Sequence, residues 1–160
     1  MQELSVSEIG NRLIQAGRLK TKPLCVYGSQ EIPERAVPST SVSSCVARAI
    51  FALATRAKMP PIYVAADMPE RCCPGGLAHF GFTQFDPGIK YFVSTGSKDY
   101  RNGAAEFLRA SPELVDENRK MMGKITPPGK FLVIRPCGDL VNEDPGVRSI
   151  LCFGIAEQIR

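Results

Sequence analysis

The sequence predicts an α+β fold, in which one mixed domain over residues 1–160 holds a sheet of about five strands flanked by helices. Two observations predict it. Segments with helical apolar spacing and segments rich in β-forming residues follow one another along the chain, without a repeat or a low-complexity region. A chain of 160 residues is also long enough for one domain with a substantial core.

The first two helices are predicted from apolar residues at helical spacing. One covers residues 5–18, with Gly17 as its stop signal. The other has N-cap candidates at residues 39–41 and a Pro-Pro pair at residues 60–61 after its end. Its apolar stripe consists of Val42, Cys45, Val46, Ala49, Ile50 and Leu53. This stripe places Cys45 near the helix start, on the buried face.

Short runs rich in β-branched and aromatic residues predict the strands. They lie at residues 23–28, 62–66, 90–95, 130–135 and 149–155. Further helical segments are expected at residues 103–109 and 111–122, and residues 77–82 are expected to be a short helix or irregular. The proline-containing segment 29–39 and the segment 136–145 are predicted to be loops.

Composition excludes two classes of partner. Twenty basic and sixteen acidic residues give a net charge of +4, but the basic residues are scattered, so no nucleic-acid partner is expected. The N-terminus has no signal peptide and no apolar run reaches membrane-spanning length, so we expect a cytoplasmic protein without a membrane partner. In a reducing compartment the six cysteines stay thiols, and Cys25 and Cys152 are expected to be core residues.

The densest group of chemically reactive residues lies between Cys72 and His79, the only histidine. Cys73 follows a predicted strand and precedes Gly75 and Gly76, where free backbone N–H groups can stabilise a thiolate or an anionic ligand. If the backbone is extended, the side chain of Cys72 points to the opposite side from that of Cys73, so the two thiols need not share a ligand. A tight turn in which the thiols only pack would explain the same residues.

Two kinds of chemistry remain open for this group. A metal site could use Cys45, Cys72, Cys73 and His79, although their spacing matches neither paired zinc ligands nor a ferredoxin run. Alternatively, Cys73 or Cys72 could be a nucleophile with His79 as its base. His79 is equally explained as a partly buried polar residue.

The chain resembles the family known as domain of unknown function 169. The resemblance rests on Ser44-Cys45 opening a helix with Ala47 and Ala49, on Cys73-Pro74-Gly75-Gly76 with Gly81, and on residues 153–158. It covers most of the chain and implies a fold but no mechanism. It also implies that Cys45 and Cys73 occupy positions where family members carry cysteines, and that the chain is truncated at its C-terminus.

Taken together, these observations predict a cysteine-dependent protein in which Cys45 and Cys73, with Gly75 and Gly76, bind a metal, an iron–sulfur cluster or another redox cofactor. The alternatives are a non-catalytic small-molecule-binding module and an enzyme with Cys73 as its nucleophile. The expected partner is therefore a small molecule or a metal.

Overall fold

The computed structural model describes residues 4–68, 72–140 and 145–155, and the structural statements below concern these ranges. They contain five helices and five strands. The helices are α1 (Val6–Gly17), α2 (Val46–Thr55), α3 (Pro74–His79), α4 (Ile89–Phe92) and α5 (Pro112–Met122). The strands are β1 (Leu24–Ser29), β2 (Val37–Pro38), β3 (Ile62–Ala65), β4 (Phe131–Pro136) and β5 (Ser149–Leu151).

The strands form one mixed sheet in the order β2-β3-β4-β1-β5. Four of them make antiparallel pairs, β3 with β4, β4 with β1, and β1 with β5, whereas β2 pairs in parallel with β3. The two central strands, β1 and β4, are aligned along six residues, from Leu24 opposite Pro136 to Ser29 opposite Phe131. The predicted α+β fold with a sheet of about five strands is therefore confirmed.

Both faces of the sheet are buried, which explains why the central strands are continuously apolar. Successive side chains of a strand point to opposite faces, so Leu24 and Val26 pack with α2, whereas Cys25 and Tyr27 pack on the other face. On that second face they join Val6 of α1 and the turn Cys137–Asp139. The buried cysteines are thereby divided between two cores, with Cys72 in the first and Cys25 and Cys137 in the second.

Helix α1 begins at Val6, one residue after the predicted start, with Ser5 as its N-cap residue. The Ser5 hydroxyl accepts a hydrogen bond from the Glu8 N–H at 3.2 Å, and the Glu8 carboxylate accepts one from the Ser5 N–H at 2.8 Å. This reciprocal pair satisfies N–H groups that a helix start leaves without partners. Within the described ranges, no helix is long and apolar enough to cross a membrane.

The strand predicted at residues 90–95 is wrong, because this segment forms α4 and a following turn. The Val93 N–H donates to the Ile89 carbonyl at 3.0 Å, so its hydrogen bonds are local. Gly96 then turns the chain with φ at +81°, a conformation that glycine adopts readily. The β propensity of Tyr91, Phe92 and Val93 is overridden by these local bonds and by packing against α5.

The helix predicted at residues 103–109 is also wrong. Gly103 and Phe107 have φ values of +80° and +54°, which a right-handed helix does not allow. The segment instead donates backbone hydrogen bonds to α4 and the turn after it, from the Glu106 N–H to the Phe92 carbonyl and from the Arg109 N–H to the Val93 carbonyl. It thus packs along α4 as an irregular segment.

Two further differences concern the edges of the sheet. Residues 37–38, predicted to lie in a loop, form the short edge strand β2, where Pro38 is tolerated because an edge strand needs fewer N–H donors. Strand β5 ends at Leu151 rather than at residue 155. Its last aligned pair is Leu151 opposite Leu24, and beyond it the Phe153 carbonyl accepts a hydrogen bond from the Thr21 hydroxyl.

Candidate functional site

The starts of α2 and α3 lie side by side, and each has a cysteine as its N-cap residue. Cys45 precedes α2 and Cys73 precedes α3. The Cys73 N–H donates a hydrogen bond of 2.7 Å to the Ser44 carbonyl, so the two segments are in direct contact. The structure therefore brings together two cysteines that are 28 positions apart in the sequence. We call Cys45 and Cys73 the cysteine pair.

The environment of Cys45 differs from the prediction. Cys45 was expected on the buried face of the helix, but α2 begins only at Val46 and Cys45 is exposed. The predicted N-cap candidates at residues 39–41 form a separate 3₁₀ turn. The Cys45 N–H donates a hydrogen bond of 3.2 Å to the Ser43 hydroxyl. The helix therefore starts later than its apolar stripe indicates, and this leaves the Cys45 thiol accessible.

Cys72 lies in the core next to the cysteine pair. Its side chain is 5% exposed and packs with residues of α2 and α3. Burial raises the pKa of the Cys72 thiol, and the neighbouring thiols of Cys73 and Cys45 act in the same direction. Cys72 is therefore a neutral packing residue at neutral pH, with Cys45 and Cys73 close to it.

The Ser39 hydroxyl is the least satisfied polar group near the pair. Ser39 is fully buried, and its Oγ has no hydrogen-bond partner within the described ranges. A buried hydroxyl without a partner costs roughly 1–3 kcal/mol. The Ser39 hydroxyl lies close to Cys72, so an unsatisfied polar group is located beside the buried cysteine.

Gly76 and Gly75 have different surroundings. A Cβ atom at Gly76 would lie 2.8 Å from Cγ2 of Val46, so only glycine lets α3 approach α2 this closely. A Cβ at Gly75 would lie 3.7 Å from the Cys73 sulfur, an ordinary contact distance. Gly76 is thus required by the packing of the two helices, and Gly75 leaves the Cys73 sulfur uncovered on that side.

His79, the last residue of α3, is oriented by contacts with Gly75 and Phe85. Its Nδ1 lies 2.6 Å from the Gly75 carbonyl oxygen, which fixes Nδ1 as the donor. The His79 ring packs edge-on against Phe85, with 4.9 Å between the ring centroids. These contacts hold the exposed imidazole between the Gly75 carbonyl and the ring of Phe85.

The four metal-ligand candidates do not form one ligand set. In residues 4–68, 72–140 and 145–155 there is no group of three or more His, Cys, Asp or Glu side chains that could hold a metal ion. Cys72 is packed in the core, and the Nδ1 of His79 is bonded to the Gly75 carbonyl, so only Nε2 of His79 is available to a metal. The geometry therefore leaves Cys45 and Cys73 as the sulfur donors that lie together and are reachable from outside the core.

A second group of cysteines lies on the opposite face of the sheet. The Cys25 thiol donates to the Arg135 carbonyl at 3.3 Å, and the Cys137 N–H donates to the Pro23 carbonyl at 2.9 Å. A hydrogen bond from Cys137 lowers the pKa of Cys25, and the same bond together with burial raises the pKa of Cys137. Sequence reasoning missed this pair, although the residues share a face once β1 and β4 are aligned.

Cys152, which was expected in the core, is exposed because it follows the last residue of β5. Cys25 is buried, as expected. All six cysteines are free thiols.

Comparison with known proteins identifies a family. The family model of domain of unknown function 169, described as an uncharacterised ArCR, matches residues 12–160. No curated protein and no solved structure matches the chain. The match covers nearly the whole sequence and includes Cys45, Cys73 and the two glycines of α3. The chain therefore belongs to the domain of unknown function 169 family.

Proposed function

We propose that the protein binds a thiophilic ligand, a soft metal ion or a metal-containing redox cofactor, through the sulfur atoms of Cys45 and Cys73. The observation that carries the proposal is the hydrogen bond from the Cys73 N–H to the Ser44 carbonyl. It holds the two cysteines next to each other at the starts of two helices. Thiolate sulfur is the ligand that copper(I), zinc and iron–sulfur clusters prefer.

The surroundings of the pair support a ligand that enters from outside. Cys45 is exposed and Cys73 is half-buried, so both can be reached. A helix start also leaves backbone N–H groups free to hydrogen-bond a metal-bound sulfur or another anionic ligand atom. Because the described residues supply no third metal ligand, the ligand itself would fill the remaining coordination positions.

The test is metal and sulfide analysis of the full chain purified without oxygen, followed by titration with copper(I), zinc and iron plus sulfide. We expect uptake of one metal centre per chain, seen in the metal content and, for iron–sulfur, in the visible spectrum. Cys45→Ser and Cys73→Ser should abolish uptake. Cys152→Ser is the matched control, because Cys152 is exposed and lies outside the pair. A folded wild-type chain that takes up none of these metals would contradict the proposal.

An enzyme with Cys73 as its nucleophile is less well supported, because within the described residues the hydrogen bond of the His79 ring goes from Nδ1 to the Gly75 carbonyl and none joins the ring to the Cys73 thiol. The two functions are separated by His79→Ala. This change should leave metal uptake by the cysteine pair unaltered, whereas it would remove the base that the enzyme requires.

A further inference from the structure

A cleft of about 480 Å³ lies between α5 and the segment that leads into α4, outside the cysteine pair. Its volume is within the range of about 300–1,000 Å³ typical of small-molecule sites. The lining residues that matter here are Phe85, Lys90, Asp116, Arg119, Lys120 and Met122. The cleft therefore combines three cations and one carboxylate with two large apolar side chains.

The positive charges of the cleft are only partly neutralised. Lys90 donates to the Asp116 carboxylate at 2.7 Å, which pairs one cation with the one carboxylate of the lining. Glu113 also interacts with Lys90, from one turn earlier in α5. Neither Arg119 nor Lys120 forms a salt bridge with a carboxylate of the described residues. Asp116 also attracts Arg119 and Lys120 electrostatically, so this one carboxylate offsets only part of the positive charge at the C-terminal end of α5.

Arg119 is held in place by an aromatic ring. Its guanidinium carbon lies 4.7 Å from the centroid of Phe85, a cation–π contact that orients the side chain without using its N–H donors. A planar guanidinium with free donors binds two oxygen atoms of one phosphate at once. Arg119 is half-buried and Lys120 is exposed, so the pair is open to a ligand entering the cleft.

We propose that this cleft binds an organic phosphate monoester, with Arg119 and Lys120 contacting the phosphate and Phe85 and Met122 contacting the apolar part. Such a group carries about −1.5 to −2 charges at neutral pH, which two cations can neutralise. A carboxylate carries only one negative charge and would leave one of the cations without a partner. The proposal does not depend on Cys45 or Cys73.

The test is calorimetric titration of the full chain with phenyl phosphate, inorganic phosphate and benzoate. Phenyl phosphate should bind tightest, inorganic phosphate more weakly because it lacks an apolar part, and benzoate more weakly because of its lower charge. Arg119→Gln and Lys120→Gln should each weaken phenyl phosphate binding by about tenfold or more, since each removes a charge-assisted contact. Arg12→Gln is the charge-matched control, because Arg12 is exposed on α1 away from the cleft.

Four results would overturn the assignment: no saturable phenyl phosphate binding, benzoate binding as tight as phenyl phosphate, unchanged binding in Arg119→Gln, or an equal loss in Arg12→Gln. Arg119→Lys provides a second variant if Arg119→Gln does not fold, because it retains the charge and removes only the two-oxygen geometry. Arg119→Lys should still weaken the binding of phenyl phosphate. The Cys45→Ser, Cys73→Ser double variant should bind phenyl phosphate like the wild type, which separates this proposal from metal binding.

Discussion

Gly76 shows how one residue determines the approach of two helices. A Cβ at this position would lie 2.8 Å from Cγ2 and 3.2 Å from Cβ of Val46, closer than atoms of a folded protein pack. Val46 is β-branched and fully packed, with 2% of its surface exposed, so its side chain has little room to rotate away. The contact between the starts of α2 and α3 therefore depends on glycine.

We expect Gly76→Ala to lower the free energy of unfolding by about 1–3 kcal/mol, the usual cost of overpacking. Gly75→Ala is the matched control in the same helix, because its new Cβ would make only an ordinary contact. There the higher helix propensity of alanine should leave stability unchanged or raise it by up to about 1 kcal/mol. Urea unfolding of both variants is the measurement, and equal stability of the two would refute the packing explanation.

The helices α4 and α5 are connected by an ion pair that makes their contact sensitive to pH. The hydrogen bond from Lys90 is the main cause that lowers the pKa of Asp116 below its ordinary value of 3.8. The same bond raises the pKa of Lys90 above 10.5. Both groups are charged at neutral pH, so the pair contributes to stability across the neutral range.

Asp116→Asn should reduce stability at neutral pH, and the difference from wild type should disappear at both extremes of pH. The carboxylate contribution is present above pH 3.8 and is lost as the pH falls through the lowered pKa of Asp116. The ammonium contribution is present below pH 10.5 and is lost as the pH rises through the raised pKa of Lys90. Denaturant unfolding as a function of pH measures both limits.

High salt should reduce the difference in stability between Asp116→Asn and the wild type. The Lys90–Asp116 ion pair is accessible to solvent, so salt screens its interaction. Glu117→Gln provides the control, since Glu117 is an exposed carboxylate on α5 without a salt bridge to a described residue. A difference for Asp116→Asn that is independent of both pH and salt would show that the ion pair does not contribute.

Two segments adopt a secondary structure that their own composition does not predict. Residues 90–95 have the aromatic and β-branched composition of a strand, yet they lie beside α5 and not beside a strand with free hydrogen-bonding groups. Residues 37–38 lack that composition but extend next to Ile62 and Tyr63 at the edge of the sheet. Local composition cannot identify such neighbours, because they come from distant parts of the chain.

At the scale of the whole molecule, the fold divides the six cysteines into three levels of accessibility. Cys25, Cys72 and Cys137 are at most 5% exposed, Cys73 is intermediate, and Cys45 and Cys152 are exposed. The buried thiols belong to two different cores, one on each face of the sheet. Accessibility therefore follows from the tertiary packing and not from the apolar character of the local sequence.

Brief alkylation of the native protein should modify Cys45 and Cys152 first, with Cys73 next. Cys25, Cys72 and Cys137 should react at least about tenfold more slowly, because a buried thiol reacts only when the structure opens locally. Peptide mass spectrometry at several time points measures each site, and the same experiment in urea should modify all six equally. Native labelling of Cys25 or Cys137 as fast as Cys45 would contradict the packing of the second core.

The sequence by itself determined the elements whose signals are local. The capping residues Ser5 and Glu8 begin α1, and the apolar runs in β1, β3 and β4 form the centre of the sheet because both of its faces are buried. The sequence also indicated a short helix or an irregular segment at residues 77–82, whereas α3 already begins at Pro74. Only the tertiary structure decided that this start lies against Ser44 and Val46, that Cys45 is exposed, and that His79 turns towards Phe85. The physical reason is that these features depend on contacts between segments far apart in the chain, which no local pattern encodes.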